Sequence, residues 1–186
     1  GVVIQAATKV EIEVLGLLAE RPMHGYELLE RFRVRGMGLW AELSRASTYQ
    51  VLKRLERRGL VAGKTQEGLE GPDRRVFRIT RSGRDHLIEG IAELARAATP
   101  GGADAGVALA FAHVLPAATA KATTDVRERT VRALLDAVRG ELDRTASSHD
   151  LGRAVSTAML HRQEALAEAE LAWLKSYRAA LGKVRR

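Results

Sequence analysis

Ser47, Thr48, Gln50 and Lys53 fall within one short stretch, SRASTYQVLKRLERRG (44–59), and each is a hydrogen-bonding side chain suited to a polyanion. Short hydroxyls allow close approach, a glutamine amide can pair bidentately with adenine, and a lysine is a mobile point charge. Arg54, Arg57 and Arg58 follow, placed to meet phosphates or acidic neighbours. Further on, Arg74 and Arg75 come directly after Gly71-Pro72-Asp73, a turn whose side chains project away from a core. Arginines there can enter a narrow minor groove or clamp phosphates. Asp73 is the discordant residue, since a carboxylate beside a polyanion repels it unless Arg74 or Arg75 neutralises it.

These residues need elements to hold them. Ser44 suits an N-cap, Val51, Leu52 and Leu55 form an apolar stripe, and Gly59 suits a left-handed C′ position, so 44–59 is predicted to be a helix. Two helices precede it. VEIEVLGLLAE (10–20) places Ile12, Leu15, Leu18 and Ala19 on one face and stops at Arg21-Pro22. The next starts near His24-Gly25-Tyr26 and buries Leu28, Leu29 and Phe32. After the third helix, 60–62 and 76–80 are strand-like, with Gly63, Gly68, Gly71 and Pro72 between them, a hairpin with a long tip. Thr80 then leads into a fourth helix with Leu87, Ile91, Leu94 and Ala95 on its apolar face.

Three helices and a two-stranded wing are the winged form of helix-turn-helix, in which the third helix enters the major groove. Thr99-Pro100-Gly101-Gly102-Ala103 is the one composition break in the chain. Beyond it the sequence is alanine-rich, with helices expected near 104–118, 124–147 and 151–181. The expected fold is therefore mainly α: a winged helix-turn-helix domain with its linking helix over 1–99, and an all-helical domain over 100–186.

Charge supports the same partner. The 186-residue chain carries a net charge of +7, and 44–84 alone hold eleven basic residues against four acids, the whole of that excess. A solvated surface scatters its charges, whereas this is a localised footprint. The chain has no cysteine, which excludes disulfides, thiolate catalysis and cysteine-based zinc sites. His113, His149 and His161 are scattered and His24 belongs to a turn, so no metal and no cofactor is expected. No nucleophile elbow, phosphate loop or HExxH is present, so an enzyme is not expected. No apolar run reaches the roughly 18 residues of a membrane span and no signal peptide is legible, so the expected compartment is the cytoplasm.

VLGLLAERPMHGYELLERF (14–32), the helix from Ser47 to Glu56, Gly59-Leu60-Val61 and GPDRRVFRITRSGR (71–84) together resemble the PadR family of bacterial transcriptional regulators, in order and over about residues 10–90. Gln50 stands where that family often has proline, and Phe77 where it often has tyrosine. The resemblance implies that Tyr26 and Tyr49 hold or touch the DNA backbone. With them, Ser47, Thr48, Gln50, Lys53, Arg54, Arg74 and Arg75 make the expected DNA-binding set. The alternative is a winged module that uses the same helix to bind protein, because fold alone does not settle function.

Ala169-Glu170-Leu171-Ala172-Trp173-Leu174 is similar to a motif late in the longer, two-domain members, whose C-terminal helices make a homodimer. Val155, Met159, Leu166, Trp173 and Tyr177 recur at helical spacing, with Leu160, Leu171, Leu174 and Leu181 beside them. That stripe is broader than a lone surface helix should expose. A two-fold dimer sets two third helices about 34–36 Å apart on a palindromic site. A homodimeric repressor of such an operator is the expectation, with release by a small-molecule effector. Trp40, Phe111, Met159 and Trp173 are the residues expected to line an effector pocket.

Overall fold

The structure, a computed structural model, describes residues 7–35, 37–39, 43–67, 74–97, 99–145 and 151–184. Helix α1 (Lys9–Glu20) opens with a reciprocal cap. Thr8 Oγ1 accepts the Glu11 amide at 3.2 Å, and the Glu11 carboxylate accepts the Thr8 amide at 3.3 Å. The helix is buried on more than the one face its periodicity shows. Val14 and Leu17 are as enclosed as Ile12, Leu15 and Leu18, and so are Glu11 and Glu13. It is the central post of the molecule, packed by α3 (Arg45–Arg57), α4 (Arg81–Ala95) and α5 (Ala103–Ala110).

Helix α2 (Gly25–Val34) follows the Arg21-Pro22 stop, and a short 3-10 turn at Met37–Leu39 leads towards α3. The hairpin strands are β2 (Val61–Gln66) and β3 (Arg74–Ile79), antiparallel with Gly63 opposite Phe77 and Thr65 opposite Arg75. They are longer than the apolar runs suggest, because the ladder continues through polar residues that face water on both sides. A third strand, β1 (Met23–His24), pairs with β3 and gives the order β1-β3-β2. Thr80 closes the hairpin: its hydroxyl donates to the Gly59 carbonyl at 2.7 Å and accepts the Gly83 amide at 3.0 Å, capping α4. Gly59 takes φ +70°, the left-handed geometry that ends α3. The hairpin tip, Gly68 to Asp73, lies outside the described residues, as does His149.

The second half is all helical but divides differently from the expectation. A single helix over 104–118 does not form. Instead α5 stops at Ala110, a 3-10 turn spans Ala112–Val114, and Leu115 is extended (ψ 157°) because it precedes Pro116. Helix α6 (Ala117–Thr145) then pairs with α7 (Leu151–Val184) around Val131, Leu135, Ala167 and Leu171. Val107, Ala108, Phe111, Ala112, Leu115 and Ala120 belong to the same apolar cluster as α1. The core therefore runs across residue 100. A methyl on Gly16 would overlap the Phe111 ring, so α1 and the 110–115 turn meet at backbone distance. Mainly helical architecture with a small winged sheet is what the structure shows. No helix among the described residues is long and apolar enough to cross a membrane.

Candidate nucleic-acid interface

Helix α3 starts from a second reciprocal cap. Ser44 Oγ accepts the Ser47 amide at 3.1 Å, and Ser47 Oγ accepts the Ser44 amide at 2.8 Å. Val51, Leu52 and Leu55 face the core. Tyr49, Gln50, Lys53 and Arg57 are exposed on the opposite side. Ser47 is half-buried and tied up in its cap. Thr48 corrects the expectation: it is 0% exposed and its hydroxyl donates to the Ser44 carbonyl at 2.7 Å, so its side chain faces the core rather than a groove.

The arginines divide into held and unpaired ones. Glu11 Oε1 accepts Arg54 Nε and Arg58 Nη1, each at 3.0 Å, and His86 Nε2 lies 3.5 Å from the other Glu11 oxygen. Burial pushes the Glu11 pKa up. The Arg54 hydrogen bond, the Thr8 amide and the charges of Arg58 and Arg54 outweigh it and leave the carboxyl below its ordinary value. So Arg54 docks α3 onto α1. Arg75 is held as well: its Nη2 donates to Glu56 Oε1 at 2.5 Å and its guanidinium lies 5.8 Å from the Phe77 ring centre. Arg74, Lys53, Arg57, Lys64 and Arg78 make no ion pair among the described residues.

Beside α3 lies an open groove of about 610 Å³ between the start of α2, Tyr49 and β3. His24 caps α2 with its ring, Nδ1 accepting the Glu27 amide at 3.2 Å. Gly25 is required by contact: a Cβ there would sit 2.8 Å from the Tyr49 ring, so the tyrosine packs directly against the first turn of α2. Tyr26 is 65% exposed at the rim and Tyr49 48%. The structure thus brings Tyr26, Tyr49, Gln50, Lys53 and Arg74 to one face. Arg75 enters that face bound to Glu56.

Of the four residues expected to line an effector pocket, the three that are described do not come together. Trp40 lies outside the described residues. Phe111 is core at 1% exposure. Met159 and Trp173 are both exposed on α7 and line separate hollows, Met159 with Val155 and Leu160, Trp173 with Leu109 and Leu166. Fourteen residues of helix separate them by about 21 Å, too far for one small ligand. Among the described residues no cluster of His, Asp and Glu could hold a metal ion.

Sequence reasoning missed Glu11, Glu56 and the buried pair Arg127–Glu170. Glu11 and Glu13 look divergent on a helical wheel, but a helix buried on most sides encloses both. The available signal was acid inside an apolar run, which burial obliges to find a cation.

Residues 14–89 match the family model described as the PadR-like family of transcriptional regulators. Solved structures that the chain resembles include a transcriptional regulator from Clostridium thermocellum, with 26% identity over 45% of this chain and 80% of that one, TM-score 0.41. Another is a putative transcriptional regulator from Thermoplasma acidophilum, with 33% identity over 42% and 72%, TM-score 0.35. Bacillus subtilis PadR in complex with operator DNA is similar over 94% of this chain and 99% of that one, at 18% identity and TM-score 0.43. No curated protein matches the chain. Over residues 14–89, its winged-helix segment, the chain is thus similar to the PadR-like family of transcriptional regulators.

Proposed function

We propose that this chain is a sequence-specific DNA-binding regulator, a homodimeric repressor of a palindromic operator that a small molecule releases. The observation that carries it is the exposed face of α3, where Gln50 and Lys53 stand beside the Tyr26–Tyr49 groove, with Arg74, which makes no ion pair among the described residues, on the adjoining strand. A winged domain presents such a face to the major groove, with the helix reading bases and the wing holding the backbone. In this reading Gln50 and Lys53 read bases, Tyr26, Tyr49, Ser47 and Arg74 hold the backbone, and Arg54 and Arg75 act through their carboxylate partners. Residues 1–99 carry the DNA-binding face and 100–186 the dimer contacts. Support for the dimer comes from α7, where Val155, Met159 and Trp173 are exposed apolar side chains along one long helix.

Selection from a random duplex library, followed by titration of the selected site at rising salt, tests this. Binding should be sequence-preferring and should weaken steeply with salt, by about 0.9 log units per log unit for each phosphate neutralised. Gln50→Ala should relax preference at one base position, by roughly 1–3 kcal/mol, while leaving the salt slope unchanged. Absence of duplex binding at low salt would turn the assignment towards a protein-binding winged module.

A further inference from the structure

The wing leaves the body of the domain at Gly59 and returns at Thr80, and between these points Glu56 of α3 hydrogen-bonds to it. Glu56, in the last turn of α3, accepts the Gly63 amide at 3.0 Å and Arg75 Nη2 at 2.5 Å through the same oxygen, Oε1. Gly63 lies on β2, an edge strand of the sheet, and Arg75 on the central β3, so one carboxylate ties both strands to the helix. The third position is equally constrained. A Cβ on Gly63 would sit 2.8 Å from Glu56 Oε1, 3.0 Å from the Phe77 ring, and closer still to Arg75 Nε. Arg75 therefore crosses β2 over the one residue without a side chain, backed by Phe77.

A carboxylate is an unfavourable choice here on every local ground. It stands near the C-terminal end of a helix, where the macrodipole disfavours negative charge. It also stands on the face proposed to meet a polyanion. Its Arg75 hydrogen bond, helped by the Gly63 amide, holds its pKa below the ordinary carboxylate value despite the opposing desolvation, so at neutral pH it is charged.

We propose that Glu56 is a positioning residue for DNA binding: through Arg75 and the Gly63 amide it sets the angle between the wing and the reading helix. Arg75 is its strut and not a free phosphate contact, and the grip of β3 on the DNA backbone falls to Arg74. This rests on the DNA-binding reading. Wild-type failure to bind duplex sinks that reading, whereas the following signs decide between strut and contact.

The test uses the full chain with Glu56→Ala, Arg75→Ala and the double substitution. Each is titrated against one labelled mixed-sequence duplex over a salt series. Amide hydrogen exchange of the hairpin is measured without DNA. Removing Glu56 deletes a repulsive charge and a poor helix-end residue, so local electrostatics alone would tighten binding. The strut predicts the opposite sign: about fivefold to tenfold weaker binding with an unchanged salt slope, and a double variant no worse than the weaker single. Exchange of the β2 and β3 amides should speed up in both singles while the α1 and α4 amides stay protected. Tighter binding in Glu56→Ala, or a salt slope lowered by about one unit in Arg75→Ala, would show that Arg75 contacts phosphate and that Glu56 merely competes for it. Unchanged hairpin exchange in both singles overturns the proposal whether or not the duplex binds.

Discussion

Thr48 and Gln50 are two residues apart on α3, both polar, and the structure separates their roles by about half a turn. Thr48 is enclosed, with its hydroxyl spent on the Ser44 carbonyl, whereas Gln50 has its amide in solvent. A buried threonine that back-bonds within a helix contributes packing and one local hydrogen bond, and nothing to recognition. Thr48→Val preserves the shape and removes the hydroxyl. We expect a stability change of about 1 kcal/mol or less by urea unfolding, since the Ser44 carbonyl also accepts the Thr48 amide at 2.9 Å, and an unaltered base preference in the selected site. A shift in base preference with this substitution would mean that α3 sits rotated about its axis relative to the structure. Pattern alone could not separate the two residues, since threonine at the start of a basic helix reads as polar surface until the rotation of the helix is known.

At the scale of elements, what the chain made legible was the order and the ends. Ser44, Gly59, Arg21-Pro22 and Thr80 each mark a boundary by a local mechanism, a side-chain cap, a left-handed glycine or a missing amide proton, and none needs tertiary contacts. How the elements dock was not legible, because it depends on pairs distant in sequence. Glu11 lies 43 residues from Arg54 and 47 from Arg58, yet its carboxylate ties α3 to α1. Its side chain is 3% exposed while those of Arg54 and Arg58 are 40% and 28%, so water can compensate the arginines but not the acid. Glu11→Gln should therefore destabilise by about 1–2 kcal/mol, less than the cost of breaking a fully buried pair. The sign of the pH dependence follows from the lowered carboxyl. Its contribution is fully present above the unfolded carboxylate range and is lost as pH falls through the depressed folded value. In urea titrations across the acid range, the variant should lack that part of the acid destabilisation. A variant that loses stability in parallel with wild type at every pH would show that the ion pair contributes nothing net.

Across the whole molecule, composition pointed to a break at 99–103, while the packing joins the two halves there. Arg127 on α6 is 0% exposed and bonds Glu170 on α7 through two nitrogens, Nε to Oε1 at 2.5 Å and Nη2 to Oε2 at 2.9 Å. The same guanidinium donates to the Ala97 and Thr99 carbonyls, and Glu170 accepts the Gly101 amide at 2.6 Å. The glycine-rich segment reads as a linker because its own residues offer no side chain to hold it; two side chains from distant helices do. The pair thus ties α6 and α7 to the residues that follow α4. Removing one member leaves a buried charge and unpaired carbonyls, so Arg127→Ala should cost on the order of 3–5 kcal/mol, against near neutrality for a well-packed apolar replacement of both. Arg127→Met combined with Glu170→Met should accordingly recover much of the loss in urea unfolding, while the carbonyls of Ala97 and Thr99 keep a residual penalty. Recovery of stability need not restore regulation. In the proposed dimer, a pair that couples the halves also holds the spacing of the two α3 helices, so the double variant should fold yet bind its selected DNA site more weakly. Wild-type affinity in a stable double variant would place the coupling instead in the Gly16–Phe111 contact, where α1 meets the 110–115 turn.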